Sequence, residues 1–330
     1  MGSSRRSLAL TLLLGVVAGR AMAQHESAMP AREVRGRVLN GSATTAAPLA
    51  NAWVFLHRVG RERAGKVDSA RTDARGGYRF LYRTGADTTA LHFVSASRGG
   101  VTYINPPLTE ARVVGADAEL VVYDTTSRAF PLTIRGRHLI VEAVDSTGRR
   151  GVVEVYDISN DSAITRVSAG GTAAVFEIGL LDGARDARVE EGDFRGDAVR
   201  LDGTRASVLA PISPGVHQFA VRYTVPGDTA FSALLDRATD VLEVLIEDVN
   251  GRVQGAGLTA VAPVVLDGRS FTRALAQDVA APAVLRLRAP TTGALVPASK
   301  LRWLAVLTVV GAALLVLLAT NAMRGARRTT

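Results

Sequence analysis

The sequence contains no cysteine among its 330 residues. This absence excludes disulfide bonds, thiolate metal sites, covalent c-type haem attachment and a lipid-modified N-terminal cysteine. The fold must therefore be stabilised by core packing alone. Aromatic residues are also scarce, at 5% of the chain, although 47% of the residues are hydrophobic and 21% are charged. That balance is typical of a folded chain, because a disordered chain has too few apolar residues to form a core.

Recognisable catalytic and metal-binding spacings are missing as well. No Gly-x-Ser-x-Gly motif occurs, and no two histidines have the spacing of a close ligand pair; the five are His25, His57, His92, His138 and His217. Sequence spacing does not exclude a Ser-His-Asp triad, because its residues can come from distant segments of the chain. We therefore predict a protein that is not an enzyme, with no catalytic residue, no cofactor and no metal site, and keep a hydrolase with a scattered active site as an alternative. A meeting of His57 and His92 across a sheet is the remaining metal hypothesis.

The formal net charge of +8 arises at the two ends of the chain. Residues 1–23 contain three basic residues and residues 300–330 contain five, while neither segment contains an acidic residue. The 31 basic residues that remain balance the 31 acidic ones, so the segment 24–299 has no net charge. The sequence therefore predicts no nucleic-acid partner.

The N-terminus has the pattern of a secretory signal. Arg5 and Arg6 precede an apolar run at 8–19, and Ala21 and Ala23 provide the small residues that a signal peptidase needs. The run is about a dozen residues, roughly 18 Å as a helix, which is too short for a bilayer core of roughly 30 Å. We predict a signal peptide at 1–23 and a mature N-terminal extension at 24–32, with an uncleaved anchor as the alternative.

The C-terminus instead has the length of a membrane span. Residues 303–323 contain no charged side chain, and as a helix they would extend roughly 31 Å. A soluble helix would need a polar face, which this run lacks. We predict a linker at 290–302, a transmembrane helix at 303–323 and a cytoplasmic tail at 324–330. The signal then makes the protein a single-pass type I membrane protein, with most of the chain periplasmic or extracellular.

Between these ends the sequence predicts an all-β ectodomain of two β-sandwich domains, at 33–127 and 128–289. Short β-type runs separated by Gly, Pro, Asn and Asp are typical of sandwiches. The expected strands of the first domain are 34–39, 53–59, 69–72, 78–82, 91–96 and 120–123. Those of the second are 132–144, 152–158, 172–178, 206–212, 217–225, 241–247 and 284–288.

One turn can be predicted in detail. Asp73 is placed to accept hydrogen bonds from the amides that follow it, and Gly76 supplies a positive φ. Tyr78 and Phe80 then point to the same face of the next strand.

The first domain resembles a carboxypeptidase regulatory-like domain over about 90 residues. The resemblance rests on three segments: Gly36-Arg37-Val38, Pro48-Leu49-Ala50-Asn51-Ala52-Trp53-Val54, and Thr72-Asp73-Ala74-Arg75-Gly76-Gly77-Tyr78-Arg79-Phe80. It implies a seven-stranded prealbumin-like sandwich, of a type often grouped with starch-binding-like folds. Asn51 departs from the glycine usual in the family, but asparagine also tolerates a left-handed φ. The His-x-x-Glu spacing of a zinc carboxypeptidase catalytic domain is absent.

Two further segments resemble binding motifs but lack a residue or a spacing that those motifs require. Residues 60–67, Gly60-Arg61-Glu62-Arg63-Ala64-Gly65-Lys66-Val67, nearly spell a P-loop, but Val67 replaces the magnesium-binding hydroxyl and the segment links two strands. We interpret it as an exposed hairpin loop. The acidic clusters at 190–193 and 247–250 lack the spacing of a calcium-binding loop, and we interpret them as solvated turns.

Three hypotheses for function follow. The first is a non-catalytic, membrane-anchored module for protein interaction or envelope assembly. The second is a carbohydrate-binding module on the same anchor, which would need a row of exposed aromatics on one sheet. Trp53 begins a strongly apolar strand, so we expect it in the core, and Tyr78, Tyr82, Tyr103 and Tyr123 form no pattern. The third is the hydrolase, which would need a histidine beside a carboxylate in a concave pocket.

Overall fold

The computed structural model describes residues 31–289, with the exception of positions 62, 86, 191, 228 and 229. The predicted signal peptide, linker, transmembrane helix and tail lie outside these residues. The described part of the chain is all-β, as the sequence predicted. Its only helical pieces are three short 3-10 turns, and it contains no helix long and apolar enough to cross a bilayer.

The N-terminal half forms two main sheets. Its strands are β1 (Arg32–Asn40), β2 (Ala47–Pro48), β3 (Trp53–Val59), β4 (Ala64–Arg71), β5 (Gly77–Tyr82), β6 (Leu91–Arg98), β7 (Val101–Ile104), β8 (Arg112–Val114), β9 (Leu120–Val122) and β10 (Thr125–Thr126). In one sheet β1 pairs antiparallel with β2 and β5 and parallel with β8 and β9. The other sheet has the order β4-β3-β6-β7.

One apolar core joins these two sheets. On β5, Tyr78 and Phe80 are buried, as predicted, while Arg79 between them is exposed. They share a cluster with Val54 and Leu56 of β3, which belongs to the other sheet. Alternation of buried and exposed residues along each strand therefore leaves one face of each sheet at the surface.

The C-terminal half is built on a seven-stranded sheet of order β15-β18-β12-β11-β20-β23-β22. Its strands are β11 (Thr133–Val144), β12 (Arg149–Asn160), β13 (Thr165–Arg166), β14 (Phe176–Gly179), β15 (Arg185–Val189), β16 (Val199–Leu201), β17 (Arg205–Val208), β18 (Gly215–Pro226), β19 (Ala230–Leu235), β20 (Thr239–Ile246), β21 (Arg252–Gln254), β22 (Thr259–Leu266), β23 (Arg269–Val279) and β24 (Ala283–Arg288). Two three-stranded sheets, β14-β17-β16 and β19-β24-β21, contribute to its main core.

Both faces of the central strand β12 are buried. Tyr156 and Ile158 belong to the main core, whereas Val153 and Val155 belong to a smaller cluster on the opposite face. A strand covered on both faces is expected to be apolar at nearly every position. Several buried residues of β12 are polar, and among them Glu154 is fully buried and lies in the main core beside Tyr156.

Polar contacts connect the two halves. The strands β10 and β13 pair in parallel, and Asp124 accepts a hydrogen bond from the backbone N–H of Thr165. Tyr103 places its hydroxyl 2.7 Å from that of Thr165, and Ser42 donates to the carbonyl of Ala163 at 2.6 Å.

Candidate ligand-binding surface

The direction of β3 places three ring-bearing side chains on the surface. Val54 and Leu56 are fully buried, so Trp53, Phe55 and His57 point to the outer face of the four-stranded sheet. The expectation that Trp53 lies in the core is wrong, since 49% of it is exposed. The physical reason is the period of two along a strand: a run that is apolar on both faces does not reveal which face is inward.

These rings form a row that we call the aromatic row: Trp53, Phe55, His57 and Phe93. Trp53 and Phe55 stack with centroids 6.1 Å apart and planes 18° apart. His57 stacks on Phe93 of the neighbouring strand β6 at 4.8 Å, with its Nε2 2.8 Å from the Ser95 hydroxyl. The row is therefore held in place by neighbouring strands and by ring contacts.

Cations border the aromatic row on the β4 side. The Lys66 ammonium lies 3.7 Å above the centre of the Phe55 ring, and the Arg71 guanidinium lies 4.3 Å from that of Trp53. Arg71 is fixed in this position because it donates to the carbonyl and side-chain oxygens of Asn51, at 3.0 and 2.7 Å. Asn51 itself adopts the left-handed φ of +58° that the sequence anticipated.

A second surface feature is a groove of about 1100 Å³ on the outer face of the β5-β1-β8 sheet. Six arginines line it, and the acidic residues of its lining are Glu33 and Asp73; the arginines are Arg35, Arg37, Arg71, Arg75, Arg79 and Arg112. We call it the arginine groove. Six guanidinium groups against two carboxylates leave four positive charges uncompensated within the lining.

The few acids near the groove are already engaged. Glu33 accepts from Arg79 at 2.7 Å and pairs with Arg112 at 3.2 Å, one partner for each carboxylate oxygen. These arginines keep the pKa of Glu33 below its ordinary value, mainly through the Arg79 hydrogen bond. Among the described residues Arg35 and Arg75 make no ion pair or side-chain hydrogen bond.

The predicted turn at 73–77 shapes one side of the arginine groove. Asp73 Oδ1 accepts from the backbone N–H of Gly77 at 2.7 Å and of Arg75 at 2.8 Å, which lowers the pKa of this carboxyl. Gly76 has φ +73°, as predicted. Gly36 lines the groove where an added Cβ would meet the carbonyl oxygen of Ala118, so β1 has to carry a glycine there.

The groove and the aromatic row meet at Arg71. Arg71 lines the groove and also stacks on Trp53, and Ala70 beside it lines the groove as well. The row and the groove lie on the outer faces of different sheets, and Arg71 connects them at the edge where β4 adjoins β5.

The described histidines do not form a metal site. His57 and His92 do not meet, because adjacent strands place them on opposite faces; His92 is buried against Tyr82 at 4.9 Å. No cluster of three potential ligands occurs in residues 31–289 outside the five undescribed positions. His217 lies 2.8 Å from the Ser213 carbonyl oxygen. The candidate His25 lies outside the described residues.

Among the described histidines, His138 is the one beside a buried carboxylate. Its Nδ1 lies 2.7 Å from Glu243, which also pairs with Arg273 at 2.5 Å. Its Nε2 is 4.0 Å from Asp157, too far for a hydrogen bond. Burial raises the pKa of Glu243, but the bonds and charges of His138 and Arg273 outweigh it and lower that pKa overall. Both side chains of the pair are at most 6% exposed, and neither lines the arginine groove.

The remaining sequence candidates have structural roles. The P-loop-like segment connects β3 to β4 as a hairpin, with the backbone N–H of Gly60 bonded to the carbonyl of Arg63. In the acidic clusters, Glu190 pairs with Arg188, and Glu247 pairs with Arg269 while accepting from the Ala143 amide. The tyrosines Tyr78 and Tyr82 are buried, and Tyr103 bonds to the carbonyl of Tyr123.

Comparison with known proteins adds little. No protein-family model matches the chain, and no curated protein matches it. Among solved structures, an M1 zinc metallopeptidase from Deinococcus radiodurans aligns at 10% identity with a TM-score of 0.30. The alignment covers 48% of this chain and 43% of that one, so the chain spans less than half the length of the metallopeptidase. A likeness this weak has no bearing on function.

Proposed function

We propose that this chain is an exported carbohydrate-binding module on a membrane anchor. The observation that supports it is the aromatic row, because flat apolar ring faces are the surfaces on which sugar rings stack. Trp53 is 49% exposed, and Phe55 and Phe93 next to it are half-buried. Solvent-facing aromatic side chains of this kind are otherwise unfavourable on a soluble surface and mark binding sites when they are grouped.

The expected contribution of Trp53 follows from its free area. A tryptophan side chain buries up to about 200 Å², and half of that is available here. At about 25 cal/mol per Å², covering it would contribute up to about 2.5 kcal/mol. Trp53→Ala should therefore weaken glycan binding between about tenfold and about 60-fold.

The test uses the full chain in uncharged detergent and an array of neutral and acidic polysaccharides. Trp53→Phe should retain part of the affinity, and Val265→Ala, which shortens an apolar side chain of β22 that is 64% exposed, should leave it unchanged. Absence of binding to every polysaccharide, or binding that Trp53→Ala does not affect, would contradict the proposal.

The architecture that we propose around this surface is the one the sequence predicts: two β-sandwiches, the first of carboxypeptidase regulatory-like type, on a type I anchor. The observed turn at 73–77 and the shared core of the two N-terminal sheets support the first assignment. The topology is tested with protease added outside the membrane, which should leave only a fragment of about 301–330. Cleavage of a tag placed after Thr330, with the rest intact, would reverse the orientation.

We propose a non-catalytic role, since the rings of His57, His92, His138 and His217 all contact structural partners. Turnover of a peptide or glycoside that is lost on changing one histidine would refute it.

A protein partner is the second candidate, favoured by the exposed Leu91 and Ile104 beside the aromatic row, at 52% and 62%. In that case Ile104→Asp should abolish cross-linking to the partner without affecting glycan binding.

A further inference from the structure

We propose that the ligand is an acidic glycan, whose carboxylate groups bind in the arginine groove while its sugar rings stack on the aromatic row. This inference rests on the proposed carbohydrate function and names its ligand class. The juxtaposition of the two features through Arg71, which contacts Trp53 and lines the groove, is what connects them.

Like charges lie opposite one another in the arginine groove. Arg35 on β1 lies directly opposite Arg79 on β5, with both side chains on the outer face. Like charges directly opposite one another destabilise a sheet, and an opposite charge at either position would stabilise it. On the other flank of Arg35, β8 offers Val114 and not an acid. Arg79 is already paired with Glu33, so the positive charge of this pair that a bound anion would compensate is that of Arg35.

The arginine groove also contains guanidinium donors that no acidic residue of its lining accepts from. Glu33 is saturated by Arg79 and Arg112, Arg37 pairs with Glu119, and the Asp73 carboxylate is held by backbone amides. Arg35 and Arg75 are left with guanidinium groups that have no acceptor among the described residues. A guanidinium presents a planar fork that matches a carboxylate, and it stays charged at every physiological pH.

Glycans and nucleic acids share part of this binding chemistry. Single-stranded nucleic acid also combines phosphate contacts with base stacking on aromatic residues. The proposed export of this chain places the surface outside the cytoplasm, where acidic polysaccharides are the abundant polyanions that also have apolar ring faces. An oligonucleotide is therefore included as an outcome of the test.

The experiment measures binding of the full chain in uncharged detergent to polygalacturonate and to its methyl ester, which has the same sugars without the charge. We expect the acid form to bind at least about tenfold more tightly. Its affinity should fall as salt rises from about 50 to about 500 mM, because salt screens exposed charges. The double variant Arg35→Gln/Arg75→Gln should lose that advantage.

The matched control is Arg286→Gln/Arg288→Gln, which removes two exposed arginines from β24 on the C-terminal half. It should bind polygalacturonate like the wild type. Equal affinity for acid and ester, both lost in Trp53→Ala, would overturn the acidic ligand and leave the carbohydrate function standing. Binding to neither form nor to any other polysaccharide would overturn both. Binding of oligothymidylate as tight as that of polygalacturonate, lost in the groove variant, would replace the glycan with a nucleic acid.

Discussion

The buried charge in the C-terminal half allows a quantitative prediction about stability. Glu154 is completely buried and accepts hydrogen bonds from three side chains. The shorter of its two bonds from Arg137 is 2.7 Å, and the bonds from the hydroxyls of Tyr156 and Tyr223 are each 2.5 Å. Arg137 is 6% exposed, so its guanidinium has little access to water. Removing one member of a buried pair costs about 3–5 kcal/mol, since the other charge is then buried without compensation.

We therefore expect Glu154→Gln and Arg137→Met each to destabilise the chain by about 3–5 kcal/mol. The double variant should lose far less than the sum, because the oxygen of the introduced glutamine side chain can still accept from the tyrosine hydroxyls and no unpaired charge would remain. With an m-value of about 2 kcal/mol/M, each single change should lower the urea midpoint of the affected transition by about 1.5–2.5 M.

Urea unfolding of the full chain in uncharged detergent, followed by circular dichroism, measures these shifts. The control is the exposed pair Arg195 and Asp197, where Arg195→Met should change stability by less than about 0.5 kcal/mol. A shift below about 0.5 M for Glu154→Gln, or effects of the two single variants that simply add, would refute the reasoning.

Two further predictions concern the N-terminal half. Gly76→Ala should destabilise it by more than the ~1–2 kcal/mol that a left-handed φ costs an alanine, because the new Cβ would lie 2.6 Å from the Val38 carbonyl oxygen. The control is Gly100→Ala, where φ is similar and no atom lies near the new Cβ, so that only the cost of the left-handed φ should be lost. Equal decreases in the melting temperature of the two variants would contradict a contribution from the Val38 contact. Burial lowers the pKa of His92 and His57, so the unfolded chain takes up protons first as the pH falls below about 6.5 and stability declines. The melting temperature should therefore drop between pH 7.5 and 5.5, and less so in His57→Gln/His92→Gln; an equal drop in both would contradict this cause.

The turn at 73–77 was predictable because all of its determinants lie within five residues. An aspartate that accepts the following amides and a glycine at positive φ are local requirements, and both appear. The same arrangement recurs at Asp145 and Gly148, which connect β11 to β12. The β22–β23 hairpin is not among the predicted strands, although Asp267-Gly268, with both φ positive, is a strong hairpin signal.

Pairing between distant strands was not predictable in this way. The parallel pairing of β11 with β20 brings His138 beside Glu243, which is 105 residues away. Nothing in the local sequence of either strand specifies the other, since apolar strands of similar length can pair in several orders. The buried ionic contacts of the C-terminal half therefore became visible only in the structure.

The net charge of the segment 24–299 gives no indication of the arginine groove. The balance of the segment 24–299 conceals a difference between its halves: residues 31–126 contain 13 basic and 9 acidic residues, whereas residues 127–289 contain 18 basic and 21 acidic. The alternation Arg35-Gly36-Arg37 on β1, with apolar neighbours at Val34 and Val38, was the local signal. In a strand it places both arginines on one face.

The position of the acidic residues gives this difference its functional meaning. In the C-terminal half, Glu142, Glu154, Glu243 and Glu247 are at most 12% exposed at the side chain and are paired with arginines, so they contribute little field at the surface. Acidic residues that are already neutralised by arginines inside the C-terminal half cannot compensate the exposed arginines of the N-terminal half. The N-terminal surface thus keeps its positive field in a chain that is neutral on average, and screening over about 8–10 Å confines that field to the groove. Net charge alone therefore excludes a polyanionic ligand only where acidic and basic residues are equally exposed.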